Sequence, residues 1–86
     1  MIKYIAAFRS RSQTMRLFQL AKNNGINCAV INTPREASIG CGISVSYGPE
    51  DHRTMQNLVM RGGFNALIGY YRTEKTPNGR IYVSPI

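Results

Sequence analysis

Two stretches of this chain repeat one pattern at an offset of 38 residues. Gly25-Ile26-Asn27-Cys28-Ala29 and Gly63-Phe64-Asn65-Ala66-Leu67 both place Gly-apolar-Asn before an apolar run, and the same offset lays Tyr4–Phe8 on Gly42–Ser46. A duplicated strand-helix-strand unit accounts for both coincidences. With 86 residues and 43% apolar content, the chain has material for the two units on one shared core and none for a second domain.

The local signals agree. Lys3–Phe8 is a short apolar run, and Ser10 followed by Gln13 has the Ser-x-x-Gln form of a capping box, so a helix is expected to start there. Thr14, Leu17, Phe18 and Ala21 recur at helical spacing, and Lys22 followed by Asn23-Asn24-Gly25 is a stop signal. Cys28–Ile31 reads as strand two, and Ile43–Tyr47, alternating apolar and polar, as strand three with one buried face. Pro49-Glu50-Asp51 opens a second helix whose buried stripe is Met55, Leu58 and Val59, and Arg61-Gly62-Gly63 ends it. Strand four is expected over 65–71 and, after the Pro77-Asn78-Gly79 turn, a fifth edge strand over 80–84 closed by Pro85. Interleaved, the two units predict an α+β domain of the ferredoxin-like split type, strand order 4-1-3-2, with both helices on one face. The core falls at 3–71, with 72–86 as a C-terminal extension. A doubly wound sheet is the weaker alternative, because strand three follows strand two after only about ten residues, as a hairpin partner would.

Charge narrows the function classes. Eleven Lys and Arg face four Asp and Glu, giving +7, and eight of the eleven are Arg, the side chain that grips carboxylates and phosphates bidentately. An anionic partner is expected. The uncharged apolar run Tyr4–Phe8 is too short for a secretory or membrane segment, so a cytoplasmic location and no membrane contact are expected. Two cysteines are too few for a disulfide scaffold and should remain thiols there. One His and four acids argue against a metal centre or paired-carboxylate site, and no cofactor is implied.

The loop Thr33-Pro34-Arg35-Glu36-Ala37-Ser38-Ile39-Gly40-Cys41-Gly42 carries the chemistry. Thr33 as N-cap, Pro34 at the first helical position and Glu36 at the third predict one capped helical turn ending at Gly40. In the 4-1-3-2 sheet, strands one and three are antiparallel neighbours, which brings Cys41 close to Phe8, Arg9, Ser10 and Arg11. A helix start and the guanidinium groups of Arg9, Arg11 and Arg35 would favour a thiolate. Two readings of Cys41 stand side by side: a small buried hydrophobe, or a functional thiol freed of bulk by Gly40 and Gly42. Cys28 reads as core and His52 as a solvated surface residue. Arg35 either pairs with Glu36 or Glu50 or faces an anion. Tyr70, Tyr71 and Tyr82 read as sheet packing.

Thr33-Pro34-Arg35-Glu36, then Ser38, then Cys41-Gly42 is the signature segment of the small selenium/sulfur carrier-protein-like domains, which this chain resembles over residues 3–71. The likeness includes Phe8-Arg9-Ser10 and the acidic opening of the second helix. Ile39-Gly40 departs from the small serines that commonly precede the family cysteine, and 72–86 lies past the usual family end. The resemblance implies a carrier rather than an enzyme. In it Cys41 bears a persulfide or selenium adduct for transfer between partner proteins; the candidate binding set joins the signature residues Thr33, Arg35, Ser38 and Gly42 to Gly40, Arg9 and Arg11, which the loop and the helix start place beside Cys41.

Two other classes compete with this reading. A basic ferredoxin-like sheet also suits RNA recognition, but Gly42–Tyr47 has a single aromatic where base stacking needs several. A protein-interaction module pairing through a sheet edge, homo-oligomers included, is the other. Reactivity of Cys41 separates the carrier from both.

Overall fold

The computed structural model describes residues 1–86. Its elements are β1 (Ile2–Phe8), α1 (Arg11–Asn23), β2 (Cys28–Asn32), β3 (Ile43–Tyr47), α2 (His52–Arg61), β4 (Leu67–Lys75) and β5 (Ile81–Pro85), with a 3₁₀ turn at Pro49–Asp51 leading into α2. This is an α+β architecture with two helices and one five-stranded antiparallel sheet in the order β2-β3-β1-β4-β5. The expected order 4-1-3-2 is not matched exactly: read from the other edge it is the β2-β3-β1-β4 part of the sheet, and the expected fifth edge strand adds outside β4 as β5. Strand four, expected to end at Tyr71, continues to Lys75 so that Lys75 can pair with Ile81.

Helix α1 starts where its cap places it. Ser10 has extended backbone, and its hydroxyl accepts the Gln13 amide at 3.2 Å. The reciprocal half of the capping box does not form: the Gln13 side-chain oxygen instead accepts the amides of Asn65 and Ala66 at 3.2 and 3.0 Å. Residues 65 and 66, expected within strand four, are held this way, and the strand begins at Leu67. A helix-surface glutamine thus welds the start of α1 to the entry of β4.

The core lies between the helices and one sheet face. Ala6 and Phe8 of β1 and Val45 and Tyr47 of β3 meet Leu17 and Ala21 of α1 and Met55 and Val59 of α2, with Ile26 at the edge. Each large apolar side chain here contributes roughly 1.5–3 kcal/mol through burial. The alternation in β3 predicted one buried face, yet Ile43, Ser44 and Val45 are all buried. On the second face Ser44 bonds Thr33 through their hydroxyls at 2.7 Å, and Ile5 and Ala7 of β1 are also fully covered. The Tyr71 ring folds back over Gly69, the register partner of Ala7. No helix is long and apolar enough to cross a membrane.

Candidate functional site

The 33–42 loop leaves the end of β2 and returns to the start of β3, at the sheet end where β1 finishes and α1 begins. Its backbone closes on itself and on β1: the Thr33 amide donates to the Gly42 carbonyl at 2.8 Å, and the Cys41 amide to the Phe8 carbonyl at 3.2 Å. The expected capped helical turn is not formed. The Thr33 amide, which a Glu36 cap would need, is taken by Gly42, and the Thr33 hydroxyl is taken by Ser44. What remains is a tight turn, with the amides of Ala37 and Ser38 donating to the Pro34 carbonyl at 2.9 and 3.4 Å.

Glycine at position 40 is a requirement of packing as well as of conformation. Its φ is +74°, in the left-handed region, and a Cβ there would lie 2.6 Å from the Phe8 carbonyl oxygen. That is the same carbonyl that receives the Cys41 amide, so the loop can approach β1 only without a side chain at 40. Gly42, at φ +94°, meets nothing within 4 Å, and its need for glycine is conformational alone.

Cys41 is thereby held by its backbone and half-buried. Its Sγ lies 3.7 Å from the Thr14 hydroxyl of α1 and 3.7 Å from the Ile43 carbonyl. Thr14 is fully buried and donates to the Ser10 carbonyl at 3.0 Å, leaving its oxygen free to accept from a thiol. If the sulfur became an anion, the same hydroxyl could turn and donate to it, since the Ser10 carbonyl already receives the Thr14 amide at 3.1 Å. Thr14 was legible only as part of the apolar stripe of α1. The available signal was a lone hydroxyl, one turn after Ser10, on the face that carries Leu17 and Ala21.

The remaining expected site residues divide into two groups. Thr33, Arg35, Ser38, Gly40 and Gly42, together with Pro34 and Ile39, line a cleft of about 310 Å³. Cys41 does not line it; its sulfur turns toward α1 instead. Arg9 and Arg11 flank the α1 start and are exposed, as is Arg35. Arg35 pairs with neither Glu36 nor Glu50, and the chain's one ion pair joins Arg72 to Glu74 at 3.2 Å.

Two further expectations are corrected. His52 is half-buried rather than a free surface residue: its Nδ1 shares a 2.8 Å hydrogen bond with the hydroxyl of buried Tyr47, and its ring sits edge-on to Tyr4 and Tyr70. Burial lowers the His52 pKa and raises those of Tyr47 and Tyr70. Cys28 is half-buried against the core, near the Phe18 carbonyl, rather than inside it. Burial raises its pKa, against the pull of Lys22. Both cysteines are free thiols. Tyr82 is exposed rather than packed, while Tyr47, the one aromatic of β3, is buried and so presents no face for stacking.

The chain is an antiparallel α+β domain that holds a cysteine by its backbone between two left-handed glycines, beside a buried hydroxyl at a helix start. The chain belongs to the family described as "Putative Se/S carrier protein-like", which matches residues 3–68. No curated protein and no solved structure matches it.

Proposed function

We propose that this protein carries sulfur or selenium on Cys41 between partner proteins. In the sulfur case the Cys41 thiolate attacks the outer sulfur of a partner's persulfide. The Cys41 sulfur-sulfur bond forms as the partner's breaks, and the partner leaves as a thiolate, so no oxidant is consumed. Delivery to an acceptor reverses these roles. The binding set is Thr33, Ser38, Gly40 and Gly42 around the loop, with Arg9, Arg11 and Arg35 at its rim, on a ferredoxin-like sheet extended by β5. The transfer partners are sulfur- or selenium-handling proteins, and the setting is the reducing cytoplasm.

The observation that carries this reading is how Cys41 is held. Its backbone is clamped to Phe8 and its loop closed by Thr33–Gly42, while its sulfur lies within 3.7 Å of a hydroxyl and of a carbonyl. A cysteine serving only as packing would need neither the glycine clamp nor a polar partner. Carrier duty, in contrast, needs a fixed thiol with one adjustable donor.

Intact mass of protein purified without reductant tests the proposal. A mass increase of one sulfur or one selenium atom, mapped to Cys41 and absent in Cys41→Ser, is the expected result. Cys41 should also alkylate faster than Cys28, and Thr14→Val should change the Cys41 rate while Thr14→Ser retains it. If both cysteines react only after denaturation, the carrier reading fails.

A further inference from the structure

The Cys41 end of the sheet differs from the rest of the surface in the kind of charge it carries. Arg9 and Arg11 stand at the start of α1, Arg35 in the loop, and Arg61 at the end of α2. Arg16 reaches the same region, donating to the Gly62 carbonyl at 2.6 Å with its guanidinium 4.0 Å above the Phe64 ring. All five are exposed. All three lysines, and three of the four acids, lie toward the other end or along the outer strands. Only Glu36 among the acids belongs to the Cys41 end. None of the five arginines is in an ion pair.

Unpaired guanidinium groups around an exchanging thiol have a chemical consequence. They raise the local concentration of anions and present planar forks that match carboxylates. Base stacking has little to work with here, because Phe8 is buried and Phe64 is already covered by Arg16. We infer that Cys41 exchanges with partners whose reactive sulfur lies in an acidic protein surface, and that the five arginines select them by charge. This inference rests on the carrier reading of Cys41 and adds the class of partner.

Thiol–disulfide exchange with small probes tests it on the intact chain. In each reaction the Cys41 thiolate forms a mixed disulfide and releases one probe half as its thiolate, so atoms and electrons balance. The probes are 3,3′-dithiodipropionate, which is dianionic, 2-hydroxyethyl disulfide, which is neutral, and cystamine, which is dicationic, each rate being normalised to that of a free cysteine derivative. At low salt the anionic probe should exceed the cationic one by roughly tenfold, within the range of electrostatic rate effects. The ratio should collapse toward unity as salt shortens the screening length.

The triple reversal Arg9→Glu, Arg11→Glu, Arg35→Glu should invert the preference. The matched reversal Lys22→Glu, Arg53→Glu, Arg80→Glu, remote from Cys41, should leave it in place. Circular dichroism confirms that both variants fold, and a single Arg35→Gln variant supplies a milder perturbation should the triple one not. Equal normalised rates for all probes, or equal losses in both triple variants, overturn the inference while leaving the carrier reading intact. No exchange with any probe overturns the carrier reading itself. Tight binding of a labelled single-stranded oligonucleotide, lost in the Cys41-end variant alone, would assign the arginines to nucleic acid and overturn the acidic-protein assignment.

Discussion

At one end of the sheet Cys41 is fixed through its backbone, by a carbonyl of β1 and a glycine with no room for a Cβ, while its sulfur stays in loose polar contact. At the other end His52 is fixed through its ring, between Tyr4 and Tyr70 and bonded to Tyr47, while its backbone simply begins a helix. The two arrangements separate position from environment. Backbone clamping sets where a group sits without filling the space around it, which suits a side chain that must be reached. Ring packing fills part of that space, and His52 is half-buried against the tyrosines. The two side chains accordingly differ in what they meet: the Cys41 sulfur lies near a hydroxyl and a carbonyl, the His52 ring among three tyrosines.

The largest effect should come from emptying the packed end. Tyr47 is fully buried and contacts both Tyr4 and His52. Tyr47→Ala should cost about 3–5 kcal/mol, as loss of a buried ring does, a large part of the total stability of a small domain. Chemical denaturation measures this. A loss below about 1 kcal/mol, typical of changes at lightly packed sites, would show that the cluster is not core and would break the contrast.

The clamp at the other end should respond unequally at its two glycines. Gly40→Ala sets left-handed strain, about 1–2 kcal/mol, on top of a collision with the Phe8 carbonyl. Gly42→Ala meets only the strain. Gly40→Ala should therefore be the more destabilising and should change Cys41 alkylation, while Gly42→Ala stays near about 1 kcal/mol. Equal losses at both sites would mean that the approach to Phe8 does not restrain the loop.

These differences mark what could be read from the sequence. The helix start at Ser10, the stripe Thr14–Leu17–Ala21, the stop after Lys22 and the approach of Cys41 to Phe8 rest on local chemistry and strand adjacency, and all appear in the structure. The surroundings of His52 are not legible locally, because its tyrosines come from β1, β3 and β4, three segments distant in the chain, whereas its sequence neighbours Asp51 and Arg53 suggest solvent. Ser44 was assigned an open face because alternation describes a strand alone, whereas the 33–42 loop covers it from outside the strand.

The packed end should also give the smaller, pH-dependent effect. Burial holds the His52 pKa below its ordinary value of 6.5. Above that pH the ring is neutral in both folded and unfolded chains and contributes no pH dependence. As the pH falls below it, the unfolded chain takes up the proton more readily, so stability is lost until the folded ring also protonates. Thermal melts of the wild type and His52→Gln between neutral and mildly acidic pH check this. The wild type should lose more stability than the variant on acidification, and parallel losses would show that the cage does not disfavour the imidazolium.

The smallest effect is expected at Glu36, where motif and structure disagree most directly. A capping box would make Glu36→Ala cost roughly 0.5–1 kcal/mol, because the carboxylate would satisfy the Thr33 amide. That amide is already 2.8 Å from the Gly42 carbonyl, a bond between residues nine apart in sequence that no local motif announces, and Glu36 is exposed. Glu36→Ala should therefore shift stability by less than about 0.5 kcal/mol, as an ordinary surface change does. Thr33→Val, in contrast, removes the 2.7 Å hydroxyl bond to buried Ser44 and strands that serine's oxygen, at a cost of about 1–3 kcal/mol. Denaturation midpoints of the two variants decide between motif and loop closure. Comparable losses would restore the capped turn, whereas a silent Glu36 beside a costly Thr33 means that Thr33 holds the loop against β3 and leaves Glu36 as the lone acid among the arginines at the Cys41 end.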